Sequence, residues 1–137
     1  MGLYLCVFDA EEEIDGVEVG HYADFNALRE YISRELEGGR AGKRFPTLMI
    51  HSDCDGEWSP VECAKLITEL TALASEMNQK PPVPFTSEWQ KFVAKANGIV
   101  PKSAFESFID VDGEFVLDRM LGLARLAVER NLPVLFQ

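Results

Sequence analysis

Leu3 to Phe8 is an unbroken apolar run with polar or acidic residues after it, which predicts a short buried strand. The acidic stretch Asp9 to Glu18 comes next. Inside it Asp15-Gly16 is a turn signal, and Val17 and Val19 alternate with Glu18 and Gly20, which predicts a short hairpin. From Asp24, read as an N-cap, Phe25, Leu28, Ile32 and Leu36 recur at helical spacing until Gly38-Gly39 stops the helix. The Gly- and base-rich segment from Gly38 to Arg44 reads as a flexible surface loop. Phe45 to Ser52 is the most apolar stretch of the middle region and predicts a second strand.

The best-marked helix start lies at Ser59. Ser59 is the N-cap, Pro60 suits the first helical position, and Glu62 completes a capping box. Cys63, Leu66, Ile67, Leu70, Leu73, Ala74 and Met77 then form a stripe at helical spacing as far as Asn78. Lys80 to Pro84 is an extended connector. Ser87 with Gln90 predicts another capping box, and Trp89, Phe92, Val93 and Ala96 the core face of a short helix ending at Gly98. Ser103 to Phe108 allows one further helical turn. A last helix, Phe115 to Arg130, is apolar on most sides, and Pro133 to Gln137 can close as a strand. Strands and helices in this order predict a single domain over residues 1–137. Its class is α+β or α/β, with a small mixed sheet and about four helices.

A chain of 137 residues with 47% hydrophobic content can build one core, which excludes long intrinsic disorder. Charge narrows the class further. Thirteen bases against 23 acids give a net charge of −10, which argues against nucleic acid and anionic lipid as partners and suits a basic protein. The excess is uneven: residues 1–37 hold ten acids and two bases, a local balance of −8. Cys6, Cys54 and Cys63 have no CxxC spacing and predict neither a disulfide framework nor a zinc site. The start of the chain lacks a basic leading segment, and no run approaches about 20 apolar residues, so the expectation is a cytoplasmic protein off the membrane.

Two segments share the pattern D-x-D-G-E-aromatic, Asp53 to Trp58 and Asp110 to Phe115. Acids at i and i+2 followed by Gly could wrap a hard cation, but neither copy has the remaining oxygen ligands of a calcium loop. Asx turns and helix caps account for the pattern more simply, with partner contact as the second reading. On an extended strand His51, Asp53 and Asp55 would line one face, where they could bind a divalent metal or transfer protons. No further His or Cys cluster completes that site, and His21 is the only other histidine. No GxSxG, Walker A or HExxH motif is present. Trp58, set in an acidic loop at a helix entry, could anchor an interface.

GLYLCVFD, GVEVGHYADF, RFPTLMIHSDCDGEWSP, FIDVDGE and LAVERNLPVLFQ together resemble a family of bacterial immunity proteins from polymorphic toxin systems. The likeness spans essentially the whole chain, and HSDCDGEWSP is its most specific part. The resemblance implies a small cytoplasmic protein, made beside a toxin, which neutralises it by binding without catalysis or cofactor. Many such toxins are nucleases with basic clefts, so an acidic surface would suit them. The expected partner-binding residues are Glu11, Glu12, Glu13 and Asp15 in the early stretch, Asp53, Asp55, Glu57 and Trp58 in the first turn, and Asp110, Asp112 and Glu114 in the second. The competing reading is a metal-dependent enzyme centred on His51, Asp53 and Asp55.

Overall fold

The computed structural model describes residues 2–137. Four strands form a sheet in the order β2-β1-β4-β3: β1 (Gly2–Asp9), β2 (Glu12–His21), β3 (Glu57–Trp58) and β4 (Val134–Phe136). Five α-helices accompany them: α1 (Tyr22–Leu36), α2 (Pro46–Ile50), α3 (Pro60–Asn78), α4 (Glu88–Ala96) and α5 (Val116–Arg130), with a 3-10 turn at Phe105–Ser107. The class is α+β. Every strand pair is antiparallel, where element order suggested a mixed sheet.

Alternation in β1 sets the layering. Leu3, Leu5 and Val7 are buried against the helices with Val17 and Val19 of β2, while Tyr4 and Phe8 on the other face are half-buried. Leu28 and Ile32 of α1, Leu66, Leu70 and Leu73 of α3, and Met120, Leu123 and Ala127 of α5 complete one core. The chain end threads between early elements, because β4 pairs with both β1 and β3.

The β1–β2 hairpin turns at Ala10 and Glu11, with Ala10 at φ 58°. The predicted turn at Asp15-Gly16 is instead inside β2, where the two residues pair with Val7 and Cys6. Gly16 is there because the Tyr4 ring crosses it from β1; a Cβ would collide with the Tyr4 hydroxyl. Asp24 also shifts role. His21 is the N-cap of α1, and Asp24 is N3, accepting a hydrogen bond from the His21 backbone N–H at 2.9 Å. The Ser59 capping box is present as expected, with Pro60 opening the helix.

Phe45 to Ser52 is the main correction: it contains α2, a helix of five residues, and no strand. Its ends are closed by charges from two other helices. Glu69 on α3 accepts from the N–H groups of Thr47 and Leu48, both at 3.1 Å, and so does the work of the missing N-cap. Arg29 on α1 donates to the carbonyls of Leu48, Met49 and His51, the last at 2.7 Å. A carboxylate at the N-terminus and a guanidinium at the C-terminus both match the helix dipole. Burial pulls the Arg29 guanidinium down from its usual range, with Asp53 opposing that shift.

The loop before α2 is likewise ordered by a buried acid. Glu37, the C-cap residue of α1, accepts from the backbone N–H groups of Gly42, Arg44 and Phe45 at 2.9–3.0 Å. Arg44 then closes the outside through two short bonds to Glu76 on α3. The expected flexible loop is wrapped around a carboxylate.

Candidate functional site

The two D-x-D-G-E turns are different structures. In the second, Asp110 is fully buried and organises its own loop: Oδ1 accepts from the N–H groups of Asp112 and Glu114, and Arg119 approaches Oδ2 at 3.5 Å. Burial pushes the Asp110 carboxyl up, against the pull of those N–H groups and of Arg119. Arg119 also donates to the Gly16 carbonyl, and the Val111 N–H donates to the Glu18 carbonyl at 3.0 Å. These bonds fasten the turn to the outer edge of β2. Asp112 and Glu114 are exposed there, in the same neighbourhood as exposed Glu18.

The first turn closes the opposite sheet edge, across four strands or about 14 Å. Asp53 accepts from Asn26 at 2.9 Å, and this bond holds its carboxyl below the ordinary range. The Gly56 carbonyl accepts from the Phe136 N–H, which makes the turn an extension of the sheet. Trp58, expected at an interface, is 1% exposed. Its indole N–H donates to the Thr47 carbonyl at 3.0 Å, and its ring meets Phe136 edge-on at 4.6 Å. Trp58 and Asp110 are therefore withdrawn from any docking surface.

His51, Asp53 and Asp55 do not line one strand face, because α2 replaces the strand that would align them. The His51 ring stacks on Phe136 at 4.1 Å and has a carbonyl oxygen opposite each nitrogen, Ser52 at Nδ1 and Glu57 at Nε2, both at 2.9 Å. A metal would have to displace one of those contacts. Among the described residues no three His, Cys, Asp or Glu side chains gather where a metal ion could sit.

Acids and apolar surface meet at β2. Glu11, Glu12, Glu13 and Asp15 are exposed along the hairpin. Tyr4 sits beneath them, its phenol pushed up to about 12 by burial and by the Glu13 carboxylate. Further along the same edge, a groove of about 420 Å³ opens between the β1–β2 ladder and α4. Glu18 is at its rim, and Trp89, Phe92, Val93 and Val111 are among its walls.

Helix α4 presents that wall because it is turned away from its predicted orientation. Gln90 and Ala94 are its buried residues, whereas Phe92 is 74% exposed. Two polar contacts fix the turn. Gln90 accepts from the N–H groups of Thr86 and Ser87, and Asp24 on α1 accepts from the Trp89 indole at 2.8 Å and from the Ser87 hydroxyl. Trp89 then lies over Gly20, where a Cβ would strike its ring and where φ is 124°.

A whole-chain family assignment fits this geometry. The family model described as Immunity protein 70 matches residues 3–136. The chain belongs to that family. No match was found among curated proteins or among solved structures. The Immunity protein 70 match covers all four strands and all five helices, apart from the first residue of β1. Among the described residues no helix is long and apolar enough to cross a membrane.

In this Immunity protein 70 member the acids of the hairpin, with Asp112 and Glu114 of the second turn, visible in the sequence one by one, are exposed along one edge of the sheet. The groove was missed: its walls read as a core face because Trp89, Phe92 and Val93 have helical spacing. The one available signal was the Ser87–Gln90 capping box, which turns Gln90 inward and so carries Phe92 outward.

The thiols are sorted by burial rather than by chemistry. Cys6 and Cys63 are buried and pushed up to about 11, whereas Cys54 is exposed. One thiol per chain is expected to react promptly with a disulfide reagent in the native protein, and all three after denaturation. Two prompt equivalents would contradict the burial of β1 and the start of α3.

Proposed function

We propose that the chain is a non-enzymatic immunity protein that binds a cognate bacterial toxin and neutralises it through the acidic β2 edge. Family membership supports the immunity role. The observation that carries the surface is the placement of Glu18, Asp112 and Glu114 on one edge, fastened by the Val111–Glu18 bond, with Glu11, Glu12, Glu13 and Asp15 continuing it along the hairpin. Asp53, Asp55 and Glu57 are on the far edge and would contact only a partner large enough to reach around the sheet. A toxin with a basic cleft, such as a nuclease, has the charge such an edge attracts. Binding there would exclude the toxin's own substrate. The work is done in the cytoplasm on this reading, and no metal, cofactor, nucleic acid or membrane is needed.

The test uses the toxin encoded beside this chain's gene. Cells expressing that toxin are expected to survive only when the chain is co-expressed. The purified pair is expected to bind at least about tenfold more weakly when salt is raised from 0.1 to 0.5 M, because exposed charges are screened over shorter distances at the higher strength. Killing despite co-expression would remove the immunity reading. An affinity unchanged by salt would remove the acidic surface and leave immunity to other contacts.

A further inference from the structure

Resting on that reading, we infer that the groove between α4 and the β1–β2 ladder is the anchor site for a Lys- or Arg-bearing segment of the toxin. Three observations converge on it. Phe92 is 74% exposed and Val111 39%, and both line the same depression beside the half-buried Trp89 and Val93. Large apolar side chains that share one depression are more telling than scattered ones. Glu18 is the one carboxylate in that lining, so the apolar surface ends in a negative charge.

Neither lysine of α4 lines the groove. At 100° per residue Lys91 and Lys95 lie about 160° around the helix from Val93, and Phe92 lies between, about 60° from Lys95. Lys91 is in addition paired with Glu88 at 3.2 Å. Asp112 and Glu114 extend the negative rim. They belong to the turn whose Gly113 packs against Val93 and Asn97 so closely that a Cβ would crowd both.

An apolar floor with aromatic walls and an acidic rim matches one chemistry in particular. Lys and Arg have long apolar stems and charged heads, and can bury the stem while the head reaches a carboxylate. Arg also stacks on aromatic faces. A volume of about 420 Å³ accommodates more than one such stem, so a short basic segment fits better than a single side chain.

The site is built by α4's orientation, and that depends on Asp24. With Ser87 and Trp89 both bonded to one carboxylate of α1, the wall is held before the partner arrives. Preorganisation of this kind lowers the ordering cost of binding.

The test measures affinity for the toxin domain encoded beside this chain's gene, by titration calorimetry, with three variants. Phe92→Lys places a like charge in the groove, at a position exposed enough to leave folding intact. Val128→Lys makes the same charge change on α5, outside the groove lining. Glu18→Gln removes the rim charge alone. Phe92→Lys is expected to weaken binding at least about 30-fold, the scale of a central anchor. Val128→Lys is expected to stay within about threefold of wild type, and Glu18→Gln to lose about tenfold and flatten the salt dependence.

Equal losses for the two lysine variants would overturn the groove while leaving the immunity reading in place. Failure of the wild-type chain to bind would remove both. Light scattering of the free chain supplies a separate outcome. A dimer that Phe92→Lys splits would assign the groove to a second copy and overturn the toxin segment.

Discussion

Trp58→Ala is expected to cost about 3–5 kcal/mol of stability, the range for removing a large aromatic from a core. Trp58 is the largest of the fully buried side chains and ties two distant parts of the chain together, β4 and α2. It pairs with β4 through its own backbone, meets the Phe136 ring edge-on, and donates its indole N–H to Thr47 in α2. Truncation leaves a cavity at the sheet edge and an α2 carbonyl without its donor. In a domain of this size the loss corresponds to a fall of roughly 10–20 °C in Tm. Trp58→Phe keeps the aromatic contacts and gives up the hydrogen bond, so its cost is expected near 1–2 kcal/mol. Thermal denaturation followed by circular dichroism checks both. A Trp58→Ala variant with near-native Tm and lost toxin binding would restore the interface role that the sequence suggested.

Glu37→Ala is the second large effect, expected at about 3 kcal/mol. Its carboxylate is the common acceptor for three backbone N–H groups of the loop ahead of α2, one of them on buried Phe45. Alanine leaves those donors without an acceptor, and the loop must open to let water reach them. Glu37→Gln retains one acceptor oxygen, so an intermediate loss is expected. Chemical denaturation measures the difference. A Glu37→Ala midpoint equal to wild type would mean that water already satisfies these groups.

The elements read correctly from the sequence were those whose signals are local. Ser59, Pro60 and Glu62 mark α3 within four residues, and the run from Leu3 to Phe8 marks β1 by its composition. The misreadings have one cause in common: the deciding partner is far away in sequence. Phe45 to Ser52 becomes a helix because Glu69 and Arg29 close its ends, and neither is adjacent to it in sequence. Asp15-Gly16 does not turn the chain, because its glycine makes room for Tyr4 on the neighbouring strand.

The candidate site divides along the same line. The acids of the hairpin were legible because charge is visible residue by residue. That Asp112 and Glu114 share an edge with Glu18, while Asp53 and Asp55 do not, follows from strand order. The repeated D-x-D-G-E string concealed this difference. One copy is built around a buried aspartate, whereas the other leans on Asn26 and the end of β4. The rotation that brings Phe92 to the surface is held by Asp24 on distant α1 as well as by the local Ser87–Gln90 box.

The doubly clamped α2 also owes its stability to its neighbours. A five-residue helix cannot nucleate alone, since the first turn fixes several dihedral angles for a single hydrogen bond. Its stabilising groups sit on α1 and α3, so α2 is stable only while both of those helices hold their places. Trp58 bonds to α2 and pairs with β4, and β4 is also the strand that joins β3 to β1. The chain's last strand and one of its shortest helices are therefore held by the same residue, so loosening either is expected to loosen the other.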